Sequence, residues 1–128
     1  MKMNLIPGKV TLLDLEQIYW GNPVVSINSE AKDAVEKAAD IVEQAAGGDA
    51  PVYGVNTGFG KLVGIRIPTE QTALLQRNLI LSHCCGVGEL LPQNIVRLVM
   101  TLKMLSLGRG ASGVRWDVIE QIGALMKN

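Results

Sequence analysis

The chain has 128 residues, of which 48% are hydrophobic and 19% charged, and its twelve basic and twelve acidic residues cancel. The hydrophobic fraction argues against intrinsic disorder, and the balanced charge provides no field that would attract nucleic acid or an anionic membrane. The length predicts one domain or a piece of a longer protein. Because only 4% of the residues are aromatic, the core must be aliphatic.

The first part of the chain carries the patterns of two short strands and two helices. We expect strands at Met3–Ile6 and Val24–Ile27, a helix from Thr11 to about Tyr19, and a helix from about Glu30 to Ala46. Asp14 follows Thr11 by three residues, which is the spacing of a capping box. The second helix has a stripe of small apolar residues and must pack closely against a neighbour. That stripe consists of Val35, Ala38, Val42 and Ala45.

Three more helices are predicted, from Thr69 to about Cys85, from Pro92 to Leu107, and from Ser112 or Gly113 onward. The middle one is apolar nearly all the way round, and such a helix belongs inside a structure larger than a two-layer domain. Its interruptions are Arg97, Thr101, Lys103 and Ser106. The pattern of the last helix continues to Asn128 without a stop signal, so we expect the chain to end within a longer structure. The predicted class is mainly α-helical with one or two short β-strands.

A glycine-rich loop, Tyr53–Gly60 (YGVNTGFG), lies between the second and third predicted helices. Its three glycines permit backbone conformations that side chains forbid. The loop offers a phenol, an amide, a hydroxyl and backbone donors. Loops held between helices often carry function, but the residues alone leave open a tight connector whose tyrosine merely packs.

A second glycine-rich stretch, Gly108–Gly113 (GRGASG), matches the pattern G-x-G-x-x-G. The dinucleotide fingerprint requires a preceding strand and an acidic residue about 20 positions later, whereas here a Leu- and Met-rich helix precedes the motif. We therefore interpret the stretch as a glycine turn in which Ser112 caps the last helix. Phosphate or nucleotide binding at this stretch is the alternative.

The remaining polar candidates lie on the third predicted helix. His83 is the only histidine, and either a packed residue or a functional one is compatible with its position. Arg77 and Asn78 either line a cleft or contact another chain. Cys84 and Cys85 are neighbours, so they cannot form a disulfide framework or a metal clip, and we interpret them as small buried apolar residues. No metal site is predicted.

The N-terminus has no signal-like apolar core, and no apolar run reaches the roughly 18–20 residues of a membrane span. With only two cysteines, which are adjacent, the chain has no disulfide framework that would indicate secretion. These features predict a reducing, cytoplasmic setting.

Three long motifs resemble one family. Val52–Gly60 (VYGVNTGFG) resembles the tyrosine loop of the aromatic amino acid lyases, which comprise the histidine, tyrosine and phenylalanine ammonia-lyases and related aminomutases. Leu75–His83 (LQRNLILSH) with Gly86–Glu89 (GVGE) is similar to the next block, and Arg97–Arg115 to the third. The resemblance covers nearly the whole chain, in order. It implies the N-terminal portion of such a lyase, with a helical domain over residues 1–112 and the start of the central helical bundle over residues 113–128.

The pair Ser82-His83 resembles the histidine-specific branch, whereas tyrosine-selective members carry His-Leu and plant phenylalanine-selective members carry Phe-Leu. The resemblance implies β-elimination of ammonia from L-histidine to give trans-urocanate, with Tyr53 as the general base and with Ser82 and His83 lining the substrate pocket. A relative acting on tyrosine or phenylalanine and a non-catalytic helical interaction module are the alternatives. Cys84-Cys85 stands where small residues such as Ala are more usual, and thiols have a similar volume.

The electrophile of this family is 4-methylidene-imidazole-5-one (MIO), which forms from an internal Ala-Ser-Gly. Ala111-Ser112-Gly113 has that composition, but the family's cofactor triplet lies in the context GSVGASGDLAP, whereas here Val114-Arg115 follows. We predict that this triplet is not the MIO precursor, that the cofactor segment lies beyond these residues, and that the 128-residue polypeptide alone is inactive. The resemblance also implies a homotetramer whose active sites combine several subunits.

Overall fold

The computed structural model of the chain describes residues 1–127 and is mainly helical. Its elements in chain order are β1 (Lys2–Leu5), α1 (Leu12–Gly21), β2 (Val24–Ile27), α2 (Lys32–Gly47), α3 (Thr72–His83), α4 (Gln93–Leu107) and α5 (Trp116–Leu125). Single 3₁₀ turns occupy Ser29–Ala31, Gly60–Leu62 and Thr69–Gln71. The predicted class, mainly α-helical with one or two short strands, is confirmed, and the strands number two among the described residues. Within the described part of the chain, none of the helices is long and apolar enough to cross a membrane.

The chain divides into two compact units. The first contains Met1–Asp40 and the chain from Leu90 onward, and the second contains Ile41–Glu89. The first unit therefore holds the two strands, α1, α4 and α5, and the second holds α3 and the glycine-rich loop Tyr53–Gly60, here called the tyrosine loop; α2 contributes residues to both units.

The first unit is built around a parallel strand pair. β1 and β2 pair from Lys2 with Val24 to Leu5 with Ile27, and α1 supplies the crossover that a parallel pair requires. Helix α4 packs against both α1 and α5. The buried core is aliphatic, as the composition predicted, and consists of Leu5, Ile18, Val25, Ile27, Val35, Met104, Leu107, Ile119 and Met126.

The N-terminus of α1 has the predicted capping box. The Thr11 hydroxyl accepts a hydrogen bond from the Asp14 N–H at 3.2 Å, and the Asp14 carboxylate accepts from the Thr11 N–H at 2.8 Å and the Thr11 hydroxyl at 2.7 Å. These bonds, chiefly the one from the hydroxyl, hold the pKa of Asp14 below its usual value. The cap satisfies N–H groups that a helix end otherwise leaves unpaired.

Helix α4 buries two of the polar residues that interrupt its apolar surface. Arg97 and Thr101 face the core, whereas Val96, Val99 and Leu102 are 38%, 56% and 45% exposed. A set of hydrogen bonds explains this orientation. The Arg97 guanidinium donates to the carbonyl of Met126, just after α5, and to that of Pro23 at 2.6 Å; the Thr101 hydroxyl donates to the Arg97 carbonyl at 2.9 Å.

The stretch Gly108–Gly113 connects α4 to α5, as the interpretation as a glycine turn requires. A Cβ at Gly108 would lie 2.9 Å from Pro7 Cγ, and one at Gly110, where φ is +69°, would lie 2.7 Å from the Ala34 backbone. Close packing and a left-handed conformation therefore account for these glycines.

The predicted start and end of the last helix were both wrong. Gly113 has φ +68°, which is outside the helical region, so α5 begins at Trp116 with Arg115 as N-cap and without a side-chain cap. Ser112 is exposed in the connecting loop. The helix ends at Leu125, so the predicted continuation fails before Lys127, and Asn128 lies outside the described residues.

Candidate functional site

The tyrosine loop of the second unit folds back on itself. The Gly58 N–H donates to the Ile65 carbonyl at 2.9 Å, and the Ile67 N–H donates to the Asn56 carbonyl at 2.9 Å. These two bonds tie residues 56–58 to residues 65–67. The backbone that follows Tyr53 is therefore held by its own loop.

The side chain of Asn56 fastens this loop to the end of α2. It is 1% exposed. Its oxygen accepts from the Val52 N–H at 2.8 Å, and its nitrogen donates to the carbonyls of Ala45 at 3.2 Å and Ala50 at 3.0 Å. Ala45 belongs to the last turn of α2, where carbonyls lack helical partners. The loop amide therefore has a structural role, and the hydroxyl of Thr57 is also buried.

Two positions of the loop require glycine for different physical reasons. A Cβ at Gly58 would lie 2.5 Å from the Leu62 carbonyl oxygen and 2.7 Å from Leu62 Cβ, so no side chain fits there. Gly54 has φ +76°, a conformation that costs other residues roughly 1–2 kcal/mol. The turn directly after Tyr53 depends on this second glycine.

Tyr53 lies on the surface of this anchored loop. Its side chain is 62% exposed, and its ring meets Phe59 edge to face, with centroids 5.9 Å apart. The aromatic contact positions the ring on one side and leaves most of the phenol accessible.

Helix α3 contacts the loop one residue after Tyr53. The side-chain amide of Gln76 donates to the Gly54 carbonyl at 3.3 Å. His83 follows Gln76 by seven residues, so both lie on one face of the helix, separated by about 10 Å along its axis. This hydrogen bond therefore places the loop beside the helix face that carries His83.

Ser82 and His83 form a small network at the end of α3. His83 Nδ1 lies 2.9 Å from the Leu79 carbonyl and 3.0 Å from the Ser82 hydroxyl, which donates to the same carbonyl at 3.0 Å. Because a carbonyl only accepts, the contact with Leu79 requires the tautomer that is protonated at Nδ1, in which Nε2 is an acceptor. Both residues are exposed. The imidazole is thus held in one orientation with an accepting nitrogen outward.

The structure brings three of the predicted site residues, Tyr53, Ser82 and His83, into one unit, whereas residues 111–113 belong to the other. The catalytic role of Tyr53 and the binding roles of Ser82 and His83 remain predictions. The prediction that Cys84 and Cys85 are buried was wrong: both are exposed, because α3 ends at His83 and the chain beyond it has no regular structure. The anchoring role of Gln76 was missed, since its contact spans 22 residues.

Residues 111–113 belong to the connection between α4 and α5, where Ala111 and Ser112 are exposed. The statement that this triplet is not the cofactor precursor remains a prediction. In the part of the chain that the structure describes, no three His, Cys, Asp or Glu side chains are grouped as metal ligands.

The sequence profile of the aromatic amino acid lyases matches residues 10–128. The chain belongs to the aromatic amino acid lyase family. The match covers the whole chain except residues 1–9, and it includes the tyrosine loop and all of α3.

Two similar relatives are histidine ammonia-lyases. The one from Bartonella henselae is 52% identical over 128 residues, which is 100% of this lyase chain and 25% of the relative. The one from Bradyrhizobium diazoefficiens is 60% identical over 120 residues, or 94% of this chain and 23% of the relative. The chain thus spans about a quarter of the length of these relatives.

A solved structure has the same fold. The crystal structure of a tyrosine aminomutase mutant with bound ligand superposes with a TM-score of 0.89 at 24% identity, covering 98% of this lyase chain and 24% of that chain. At this identity the likeness shows the fold alone. It agrees with the fold that the three motifs implied.

Proposed function

We propose that this chain contributes the proton-abstracting tyrosine and one wall of the substrate pocket to an ammonia-lyase that acts on L-histidine. The observation that carries the proposal is the hydrogen bond from Gln76 to the Gly54 carbonyl, which holds the loop of Tyr53 beside the face of α3 that bears His83. The identity of 52–60% to histidine ammonia-lyases supports the substrate.

Tyr53 is the general base in this proposal. Its phenolate oxygen takes the β-proton of the substrate, the electrons of that C–H bond form the new double bond, and the C–N bond breaks as the amine leaves. The products are trans-urocanate and ammonia. The accessible phenol and the anchored backbone around it suit a group that must reach a substrate in one orientation.

His83 recognises the imidazole of the substrate. With Nδ1 held by the Leu79 carbonyl, its Nε2 accepts a hydrogen bond from a ring N–H, which a phenyl side chain could not donate. Ser82 fixes the ring through its 3.0 Å contact with Nδ1. This polar pair therefore favours histidine over phenylalanine.

The other parts of the active site lie beyond this chain's own residues. MIO, the electrophile of this family, makes the amine a better leaving group, and we place its precursor outside the 128 residues. We further propose a cytoplasmic homotetramer in which residues 1–112 form the helical domain and residues 113–128 begin the central bundle. Val96, Val99 and Leu102 of α4 are exposed apolar residues. Their exposure supports the proposal that further protein covers α4 in the assembled enzyme.

A chimeric enzyme tests the proposal. This chain replaces the matching segment of the histidine ammonia-lyase from Bradyrhizobium diazoefficiens, to which it is 60% identical, and urocanate formation is followed by ultraviolet absorbance. The chimera should convert L-histidine in preference to L-tyrosine and L-phenylalanine. Tyr53→Phe should lower kcat by about 10²–10⁴-fold, as expected for loss of a general base.

Tyr19→Phe, a matched change at the other tyrosine, should leave kcat unchanged. Size-exclusion chromatography checks that all variants assemble like the parent. If the assembled Tyr53→Phe variant keeps the parental kcat, the proposed base is wrong. The 128-residue polypeptide alone should form no urocanate from L-histidine.

A further inference from the structure

Tyr53 belongs to a short turn whose two ends, Val52 and Asn56, are hydrogen-bonded to each other in both directions. The Asn56 N–H donates to the Val52 carbonyl at 3.2 Å, and the Val52 N–H donates to the side-chain oxygen of Asn56 at 2.8 Å. The turn therefore spans residues 53–55, and one asparagine closes it with both its backbone and its side chain.

The side-chain nitrogen of Asn56 fixes the same turn to the C-terminal end of α2. It donates to the Ala45 carbonyl at 3.2 Å and to the Ala50 carbonyl at 3.0 Å. These bonds also determine which way the amide points, because the opposite orientation would place its oxygen against two carbonyls and its nitrogen against the Val52 N–H. The oxygen and both hydrogens of the amide are thus used.

Asn56 is buried, although Tyr53 lies on the surface of the same loop. The exposure of Asn56 is 1%, and its partners Ala45, Ala50 and Val52 belong with it to the second unit. This burial is produced by the chain's own residues, so it does not depend on what further protein covers the loop. A buried amide whose hydrogens are all bonded does not contact a substrate. An effect of Asn56 on a reaction must therefore pass through the residues that it holds.

The residue that Asn56 holds is the immediate neighbour of the candidate base. Val52 precedes Tyr53, so a shift of the Val52 backbone moves the Tyr53 Cα with it. The Gln76 amide holds the following residue, through the Gly54 carbonyl at 3.3 Å. Tyr53 is thus fixed from α2 through Asn56 and from α3 through Gln76.

We propose that Asn56 is a positioning residue for Tyr53, the general base of the function proposed above, on which this inference rests. Asn56 sets where the phenolate oxygen stands relative to the β-proton of the substrate, and it takes no part in the proton transfer itself. A misplacement of about 1 Å can lower the rate of a reaction roughly 100-fold. Loss of the Asn56 amide should therefore lower kcat, and it should do so only through Tyr53.

A double-mutant cycle in the chimeric enzyme described above tests this role. Asn56→Ala should lower kcat for L-histidine by about 10–100-fold when Tyr53 is present. In the Tyr53→Phe background, the same change should lower the residual kcat by less than about twofold, because the base that Asn56 positions is already gone. A merely structural role would lower kcat by the same factor in both backgrounds, since it would reduce the amount of active enzyme.

Thr57→Val is the matched control. Thr57 is the next residue and is 2% exposed, but its hydroxyl donates to the Gly58 carbonyl at 3.1 Å and not to the ends of the turn. We expect its kcat to stay within about twofold of the parent value. Size-exclusion chromatography checks that each variant assembles. If the alanine variant does not assemble, Asn56→Ser, whose hydroxyl retains one hydrogen bond, takes its place in the cycle.

Amide hydrogen exchange in the 128-residue chain tests the turn without reference to activity. The Val52 N–H should exchange at least about fivefold faster in Asn56→Ala than in the parent, because the substitution removes its acceptor. An unchanged exchange rate would show that the side chain does not hold the turn, and the positioning role would then be wrong.

The cycle separates a failure of this inference from a failure of the proposed function. If Tyr53→Phe is slow but Asn56→Ala lowers kcat equally with and without the phenol, the positioning role is wrong and the assignment of the base stands. If Tyr53→Phe keeps the parental kcat, the proposed base is wrong and the positioning role falls with it. An Asn56→Ala chimera with the parental kcat also contradicts the positioning role.

Discussion

Gln76 and Gly54, 22 residues apart, are joined by a hydrogen bond of 3.3 Å from the side-chain amide of the first to the carbonyl of the second. Gly54 directly follows Tyr53, and Gln76 shares a face of α3 with His83. The orientation of the tyrosine loop therefore depends on a residue of the helix that carries the other candidate site residues. A single side chain thus couples the two parts of the candidate site.

Replacing Gln76 with Leu should loosen this loop. The substitution removes the donor to Gly54 at little change in volume, and a hydrogen bond of this kind contributes about 1 kcal/mol. The open population of the loop should increase about fivefold. The cleavage rate should increase by the same factor where cleavage tracks that population. Limited chymotrypsin digestion after the exposed Tyr53 measures it. Gln44→Leu, on the exposed surface of α2, is the control, and equal cleavage of both variants would show that the hydrogen bond does not hold the loop.

Gly58→Ala should damage the same loop by a steric route. The added Cβ would overlap the Leu62 carbonyl, only 2.5 Å away, and overpacking of this kind costs about 1–3 kcal/mol. Amide hydrogen exchange at Ile65 and Ile67 should accelerate accordingly. Gly64→Ala is the matched control, because a Cβ there meets nothing within 4 Å. The same protection in both variants would contradict the predicted clash.

Several elements were predictable because their signals are local. The Thr11–Asp14 spacing specified a cap that the structure has, and Val24–Ile27 forms a strand with the predicted bounds. Each depends on residues a few positions apart. The motif of Tyr53–Gly60 likewise identified the loop, since its glycines meet local steric requirements.

The unpredicted features depend on contacts or backbone conformations that the residue types alone do not specify. Nothing in the sequence of α4 shows that Arg97 reaches the carbonyl of Pro23, 74 residues away, and a charged residue normally indicates an exposed face. The side chain of Asn56 is buried because it bonds to Ala45 in the last turn of α2 as well as to Ala50 and Val52 beside its own loop. Ser112 failed as a cap because the left-handed Gly113 delays the helix.

Arg97→Met should destabilise the first unit. The change keeps an unbranched apolar stem but leaves the carbonyls of Pro23 and Met126 without their donor. Hydrogen bonds from charged groups contribute about 1.5–3 kcal/mol each, so a loss of about 3–6 kcal/mol is expected for the two bonds. Urea unfolding followed by tryptophan fluorescence measures it, since Trp20 and Trp116 both belong to this unit.

The control for Arg97→Met is Lys103→Met, which removes an exposed positive charge from the same helix. Its free energy of unfolding should stay within about 0.5 kcal/mol of the parent value. If the free energy of unfolding of Arg97→Met also stays within about 0.5 kcal/mol of the parent value, the buried guanidinium contributes no net stability. Apolar side chains can replace buried ionic groups with no loss of stability.

The capping box at α1 should make the stability of the first unit depend on pH. Hydrogen bonds from Thr11 hold the pKa of Asp14 below its usual value. A carboxylate of this kind contributes stability that is present above its unfolded pKa, about 3.9, and is lost as the pH falls through the lower folded pKa.

Asp14→Asn should therefore unfold at a lower urea concentration than the parent at pH 7 and pH 5. The two midpoints should converge as the pH falls from about 4, near the unfolded pKa, through the lower folded pKa of Asp14. Tryptophan fluorescence again provides the measurement. Asp40→Asn, at an exposed position late in α2, should show no such convergence because Asp40 caps no helix. A constant difference between Asp14→Asn and the parent from pH 7 to pH 3 would mean that the ionised carboxylate is not what stabilises the cap.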